Sequence, residues 1–157
     1  MPLKAWLRTY LNPEVGIDEG WIREHRGTSA TAEGVTRWRE FIEAANQQPD
    51  LLLCRVARSA TEIAGVVCGR RGRVVTLGPM YVLNHVQGRG LGGRMMTEFL
   101  TWAGAAPICP WDTDDNDSAI RFHQRHGFTI TGERELRQGS LPDVGMTREV
   151  VSAAGHR

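Results

Sequence analysis

The run at residues 87–93 has the composition best suited to binding a ligand through the backbone. It reads Gln-Gly-Arg-Gly-Leu-Gly-Gly and lies between a strand-like run at residues 74–83 and an amphipathic helical pattern at residues 91–103. Glycine has no Cβ atom, so backbone N–H groups there can approach a ligand closely. The unpaired amides at the start of a helix also carry partial positive charge. The pattern therefore predicts a site for a phosphate or diphosphate group.

Two other interpretations of these glycines are open. The spacing Gly88-x-Gly90-x-x-Gly93 satisfies the dinucleotide-binding fingerprint, and Asp112 follows after roughly 20 residues. However, residues 84–87 separate the strand from the first glycine, whereas the dinucleotide-binding turn follows its strand directly. The second alternative is a turn without a ligand. A turn requires a single glycine with positive φ, and this run contains four glycines.

The sequence pattern around this run predicts the helices and strands of an α+β domain. An apolar stripe after Gly34 indicates a helix that Pro49 ends, and strands are expected at residues 51–57, 63–69 and 73–83. The third strand is apolar on both faces, which is typical of a central, covered strand. Simple alternation puts two sets on opposite faces of it, namely Val75, Leu77, Tyr81 and Leu83 against Val74, Met80 and Val82.

Proline at position 79 interrupts this third strand. Pro79 has no N–H to donate to a neighbouring strand, so a bulge or a parting of the neighbours is expected there. The remaining elements are predicted from their periodicity and end signals. They are a strand at residues 4–10, a helix at 17–25, a strand at 108–111, a helix after the N-cap Asn116, strands at 128–136 and 144–151, and a loose tail at 152–157.

Two motifs in order resemble the GNAT superfamily of N-acetyltransferases. Residues 87–92 resemble the acyl-CoA motif Gln/Arg-x-x-Gly-x-Gly/Ala, and the run Met-Tyr-Val-Leu at 80–83 resembles the strand that ends at this loop. Residues 116–128 are similar to the segment N-x-x-A-I-x-F-Y-x-x-x-G-F. The resemblance covers about residues 50–150. It implies a single domain over residues 1–157, with a mixed, mostly antiparallel sheet whose strands splay, flanked by helices.

The resemblance also implies how acetyl-CoA is held. The diphosphate would lie over the backbone amides of residues 88–93, and the pantetheine arm would pair with the strand before the loop. A backbone N–H near Val82 could polarise the thioester carbonyl, and Asn116 would contact the pantetheine arm as well as cap its helix. The implied coenzyme-binding residues are Met80, Tyr81, Val82, Gln87, Gly88, Arg89, Gly90, Leu91, Gly92, Gly93, Asn116, Ala119 and Phe122. No metal is implied.

The implied reaction is direct attack of a primary amine on the acetyl thioester, with a small molecule or a protein as acceptor. The amine must lose a proton and the departing thiolate must gain one. Family members often supply the acid from a tyrosine, but His123 stands at that position here. Imidazole exchanges protons near neutral pH, so His123 is the predicted catalytic residue. The alternative is a histidine that only packs beside the coenzyme.

Other polar residues near the motifs are weaker candidates. No glutamate occurs between residues 73 and 87, so the carboxylate base of some relatives is missing. The missing glutamate and the histidine in place of tyrosine leave a second function open. In this alternative the domain binds CoA but has lost catalysis and serves as a sensor or a partner. The acidic residues Asp112, Asp114 and Asp115 could bind a cationic acceptor or take up its proton, but a role at the positive helix start is favoured. His85 is expected to be exposed to solvent. Cys109 is a candidate nucleophile, but no His/Asp pairing is evident to support it. Trp111 and Tyr81 could line an acceptor pocket, although packing in the core is the default for aromatic residues in or beside strands.

The overall composition excludes several other classes of function. The 157 residues carry 19 basic and 18 acidic side chains, a net charge of +1, which argues against a nucleic-acid or membrane-surface partner. No apolar stretch is long enough to span a bilayer. Three cysteines without a CxxC pair argue against structural zinc or a disulfide framework and favour a reducing cytosol. A cytoplasmic enzyme is expected, and a homodimer remains open.

Overall fold

The computed structural model describes residues 13–15, 17–114, 116–137 and 141–149. The strand expected at residues 4–10 and the tail expected at 152–157 lie outside the described residues. The fold is α+β, and the described residues form four α-helices and two three-stranded antiparallel sheets. Among the described residues, none of the helices combines the length and apolar character of a membrane span.

Two capped helices precede the first sheet. Helix α1 spans Glu19–Arg26, and the carboxylate of its N-cap Asp18 accepts a hydrogen bond from the N–H of Trp21 at 2.7 Å. Helix α2 spans Ala32–Gln47, and its N-cap Thr31 accepts one from the N–H of Gly34. Both caps satisfy amides that have no partner inside the helix. The predicted helices are therefore confirmed, with ends that shift by one to three residues.

The first sheet is an antiparallel meander. Its strands are β1 (Leu52–Arg58), β2 (Ile63–Arg71) and β3 (Val75–Val82), in the spatial order β1-β2-β3. The three predicted strands are confirmed. Because consecutive strands are antiparallel neighbours, they contain no crossover helix of the kind that joins parallel strands.

A β-bulge interrupts β3 at the predicted proline. Met80 pairs with Val67 and Leu77 pairs with Gly69, so that Gly78 and Pro79 together oppose Cys68. The extra residue shifts the alternation of side chains. The face assignment from simple alternation is therefore wrong, because Leu77 and Met80 both pack against the same core. The structure also differs from a strand covered on both faces, since only Val75 of β3 is fully buried.

The second sheet has the order β4-β6-β5. It consists of β4 (Trp111–Thr113), β5 (Thr129–Arg137) and β6 (Leu141–Thr147), all paired antiparallel. The strand expected at residues 108–111 is displaced, because Ile108 forms isolated bridges and the regular pairing begins only at Trp111. The last strand likewise begins at Leu141 rather than at 144.

Ile108 joins the two sheets. It bridges Val75 of β3 in parallel and Arg148 antiparallel. Helix α3 (Leu91–Ala103) packs over the junction, and helix α4 (Asp117–Arg125) follows β4. The predicted bounds of α3 are confirmed. The core between α3 and the sheets contains the fully buried residues Leu53, Val67, Val75, Met96, Phe99, Ala103, Ile108, Phe128 and Met146.

Candidate active site

The two sheets part beyond their junction and leave a gap between β3 and β4. At the closed end, the N–H of Val75 donates to the carbonyl of Pro107 at 2.9 Å. The N–H of Cys109 donates to the carbonyl of Val75 at 3.1 Å. Further along, no bridge joins β3 to β4 among the described residues. The gap therefore widens toward Val82 and Thr113, which agrees with the predicted splay.

The backbone at the open end of β3 faces this gap. The N–H of Leu83 donates to the carbonyl of Ala64 on the far side, so the N–H and C=O of Val82 point the opposite way. The Val82 carbonyl accepts a hydrogen bond from Nε2 of Gln87 at 2.9 Å. Gln87 therefore ties the loop to the strand instead of pointing outward, and the N–H of Val82 is left toward the gap.

The glycine run forms the entrance to α3. Gly88 and Gly90 have φ of +74° and +79°, and Gly90 is the left-handed N-cap of α3 with no side-chain cap. In the part of the chain that the structure describes, no group accepts a hydrogen bond from the N–H groups of residues 88–93. A Cβ atom at Gly88 or Gly90 would meet nothing within 4 Å. The amides are thus open to a ligand.

This entrance lies at the mouth of the gap. A Cβ atom at Gly92 would lie 3.4 Å from the ring of Phe122 on α4 and 3.9 Å from the side chain of Val82 on β3. Helix α3 approaches the sheet closely because β2 carries glycines beneath it. A Cβ atom at Gly65 would come within 2.8 Å of Met95, and one at Gly69 within 2.8 Å of Phe99.

A buried histidine–aspartate pair joins α4 to β4. Nδ1–H of His123 donates to Oδ2 of Asp112 at 2.5 Å, and the two side chains are 8% and 11% exposed. Because a carboxylate only accepts, Nδ1 carries the proton and Nε2 is left as the acceptor. The rings of Phe122 and Phe128 pack edge-on against the imidazole at 5.6 and 5.3 Å between centroids.

The pairing corrects the sequence interpretation of Asp112. A role at the positive helix start was favoured, but Asp112 lies in β4 and binds His123. Nε2 of His123 is buried and has no hydrogen-bond partner among the described residues. A buried polar atom without a partner costs free energy. A hydrogen bond from a group that reached Nε2 would remove that cost.

The other predicted residues lie around the same entrance. Asn116 caps α4, because its side chain accepts a hydrogen bond from the N–H of Ala119 at 3.2 Å. Arg89 is exposed in the loop, and Leu91 packs against the core. Met80 and Tyr81 are half-buried on β3. The predicted coenzyme-binding residues are thus distributed over β3, the glycine run and the start of α4.

Three other predicted candidates lie in different surroundings. His85 is more than half exposed and its Nε2 lies 2.8 Å from Glu62, so it forms an ion pair when protonated. Asp114 lies 3.6 Å from Arg134. Cys109 lies 3.9 Å from the hydroxyl of Thr147, with no histidine beside its sulfur in the described residues, so a covalent route gains no support.

The sequence analysis missed His126. Its Nδ1–H donates to the carbonyl of Phe122 at 2.8 Å, and its ring lies 4.5 Å from that of Phe122. Nε2 lies 4.0 Å from the Cβ position of Gly93. His126 therefore reaches the first turn of α3 from α4. Its position just before Gly127 is typical of a helix end, and no local pattern shows that the two helix ends meet.

A cavity of about 280 Å³ lies on the face of the first sheet opposite α3. The Cβ position of Gly69 faces α3, so the side chains of its neighbours Cys68 and Arg70 point to the other face of the sheet. Helix α2 forms the opposite wall. The lining residues are Gly34, Arg37, Trp38, Phe41, Cys68, Gly69, Arg70, Thr76, Gly78 and Pro79. The bulge of β3 thus borders the cavity, and the next residue, Met80, belongs to the stretch beside the gap.

The comparisons with known proteins agree with this architecture. Residues 17–128 match the model of the acetyltransferase (GNAT) family. The chain therefore belongs to this family. No curated protein is a significant match. The match and the antiparallel meander contradict the dinucleotide-binding alternative.

Solved structures with low sequence identity share the fold. The PaiA N-acetyltransferase of Thermoplasma acidophilum, in complex with coenzyme A, is 19% identical with a TM-score of 0.67, over 94% of this chain and 87% of that one. Ard1 of Thermoplasma volcanium is 22% identical with a TM-score of 0.56, over 68% and 75%. Naa50 of Arabidopsis thaliana, in complex with a bisubstrate analogue, is 16% identical with a TM-score of 0.53, over 61% and 72%.

Proposed function

We propose that this protein transfers an acetyl group from acetyl-CoA to a primary amine by direct attack on the thioester. Family membership supports acyl transfer from CoA. The observation that carries the finer proposal is the combination of an uncapped glycine entrance at α3 with a buried His123–Asp112 pair on α4 and β4. The first suits a diphosphate, and the second suits proton transfer.

The amides of residues 88–93 are the proposed diphosphate site. They lie at the positive end of α3, and the space beside Gly88 and Gly90 is open. Hydrogen bonds to a charged group contribute about 1.5–3 kcal/mol each, so a few amides suffice to anchor the coenzyme. His126 approaches the same turn and would add a donor for a phosphate oxygen when protonated.

The open edge of β3 is the proposed site of the pantetheine arm. The N–H of Val82 faces the gap, and the carbonyl of Val82 already accepts a hydrogen bond from the side chain of Gln87. A donor that has no partner among the described residues can bind the thioester oxygen at this point and stabilise the negative charge that develops there. Acetyl-CoA would supply the activated acetyl group.

His123 is the proposed proton carrier. Asp112 holds the proton on Nδ1, so Nε2 is the acceptor nitrogen. Because Nε2 is buried in the ligand-free structure, the bound coenzyme or amine must open a path to it before it accepts the amine proton. The carboxylate also stabilises the positive charge that the ring then carries, and the same Nε2–H can protonate the departing thiolate. This order of events makes His123 a base first and an acid second, whereas the sequence alone suggested an acid.

The cavity opposite α3 is the proposed route for the acceptor amine. It adjoins the bulge of β3, next to the stretch that borders the gap. Its walls contain two guanidinium groups, Arg37 and Arg70, together with the rings of Trp38 and Phe41. Arg70 lies over the ring of Phe41 at 4.9 Å. These groups favour a small amine that combines an apolar body with a carboxylate over a polycation.

The test is thiol release from acetyl-CoA with a panel of amines, alongside thermal unfolding with and without coenzyme. Turnover with at least one amine, and a melting temperature raised by acetyl-CoA, is the expected result. A raised melting temperature without turnover across the panel would favour the lapsed, CoA-binding sensor. No rise with acetyl-CoA or CoA would overturn the proposal.

A further inference from the structure

Two thiols lie side by side on the face of the first sheet opposite α3, and one of them, Cys68, lines the cavity on that face. Cys54 of β1 and Cys68 of β2 are register partners, and their sulfur atoms are 3.8 Å apart. Both are free thiols. The N–H of Arg71 donates to the carbonyl of Leu51, so the alternation of the ladder makes Cys54–Cys68 a non-hydrogen-bonded pair.

The backbone at this pair already has a spacing that a disulfide requires. Cα atoms of a non-hydrogen-bonded antiparallel pair are about 4.5 Å apart. Disulfides span Cα distances of about 4.4–6.8 Å. Closing the bond therefore needs rotation of the side chains and little movement of the strands. The pairing at Cys54 is regular, since the register shift of β1 falls later, between Ala57 and Arg58.

The two thiols differ in reactivity. The S–H of Cys68 donates to the sulfur of Cys54, and with the nearby charge of Arg55 this lowers the pKa of Cys54 from 9.0 to about 7, although burial opposes the shift. The same hydrogen bond and burial raise the pKa of Cys68. A thiolate is the nucleophilic form of cysteine. Cys54 is therefore suited to attack an oxidant, and Cys68 to react second.

We propose that Cys54 and Cys68 form a redox modification site that a peroxide converts to an intrachain disulfide. The Cys54 thiolate and a proton react with hydrogen peroxide to give the sulfenic acid and one water. The Cys68 sulfur then attacks the Cys54 sulfur, the S–S bond forms, and the S–OH oxygen leaves as a second water with the Cys68 proton. Two thiols lose two electrons in total, and the peroxide gains them.

The position of the pair fits a reversible modification. Cys68 forms part of the wall of the 280 Å³ cavity, so a small oxidant can reach the pair from that side. Disulfides in a reducing compartment are usually transient and redox-sensing rather than structural. The proposal does not depend on acetyl transfer, since neither sulfur contacts the glycine entrance or the His123–Asp112 pair.

Peroxide titration of the full chain, followed by peptide mapping under non-reducing conditions, tests the site. The wild type and the Cys109→Ser control are expected to lose two thiols and yield one linked peptide pair, 54 with 68, which dithiothreitol reverses. Cys54→Ser and Cys68→Ala are expected to yield none. A linkage between two chains, preferential oxidation of Cys109, or Cys54 sulfinic acid beside an intact Cys68 thiol would each overturn the proposal.

Alkylation kinetics give a second readout that needs no disulfide. The rate at Cys54 in the Cys109→Ser protein is expected to rise with pH around a midpoint of about 7. In Cys68→Ala the S–H donor is lost, so the midpoint should move to higher pH. Equal midpoints in the two proteins would show that Cys68 does not activate Cys54 and would overturn the proposed order in which the two thiols react.

Discussion

The glycine entrance and the His123–Asp112 pair contrast in how the chain builds them. The entrance is seven consecutive residues, and its four glycines leave backbone amides open to a ligand. The pair comes from two elements and is nearly buried, and each side chain depends on the other. The first is expected to bind and the second to carry protons. Substitutions that separate binding from turnover can therefore test this division.

The largest effect is expected from Gly92→Glu. A carboxylate at the start of α3 would repel the coenzyme diphosphate while favouring the helix itself, so CoA binding should fall without loss of stability. Loss of two charged hydrogen bonds, at about 1.5–3 kcal/mol each, corresponds to roughly 100-fold or more in the dissociation constant. Calorimetric titration with CoA and a thermal melt measure the two quantities.

Gly92→Gln is the matched control for the charge. It has the same length and should weaken binding less than the glutamate does. Gly90 is less informative, because its φ of +79° strains any side chain there. Equal affinity of Gly92→Glu and the wild type would contradict a diphosphate site at this turn.

His123→Gln should affect turnover and leave binding intact. Loss of a general base or acid typically lowers kcat by about 10²-fold to 10⁴-fold. The KM for acetyl-CoA should stay within a few fold of the wild type. His85→Gln, at an exposed histidine outside the pair, serves as control. A decrease of less than about threefold in His123→Gln would reduce His123 to a packing role.

Asp112→Asn tests the positioning residue. The neutral amide stabilises the imidazole charge less than the carboxylate does, so kcat should fall on the order of 10-fold to 100-fold, because a hydrogen bond to a charged group contributes about 1.5–3 kcal/mol. Asp114→Asn changes a nearby carboxylate that pairs with Arg134 and should have little effect. If in Asp112→Asn the KM for acetyl-CoA rises as much as kcat falls, the pair contributes to coenzyme binding. Binding and proton transfer would then not be divided between the entrance and the pair.

The smallest effect is expected at the acceptor side. L-phenylalanine and phenethylamine differ by one carboxylate, and the wild type should prefer the amino acid. Arg70→Gln should reduce that preference by about 2-fold to 5-fold, since exposed charge pairs contribute up to about 1 kcal/mol. Arg39→Gln is the control, because Arg39 lies on the same helix as Arg37 but outside the cavity lining, and it should leave the preference unchanged. A wild-type preference for phenethylamine would overturn the acceptor class but not the acetyl transfer.

Much of the fold follows from local patterns. The bounds of α3 match the prediction because apolar periodicity and end signals at Gly90 and Gly104 are properties of neighbouring residues. The bulge at Pro79 also follows, since a missing N–H is a covalent fact. The faces of β3 do not follow, because the register beyond the bulge depends on the strand it pairs with.

The sequence by itself determined the glycine-rich turn and helix start at residues 87–93, from which a phosphate site is predicted, because both features belong to consecutive positions. It also indicated His123, through the motif around it. Only the tertiary structure decided that Asp112 serves His123, that His126 meets the first turn of α3, and that Cys54 faces Cys68. Each of these pairs is separated along the chain, and hydrophobic burial and strand register, which no local pattern specifies, bring the partners into contact.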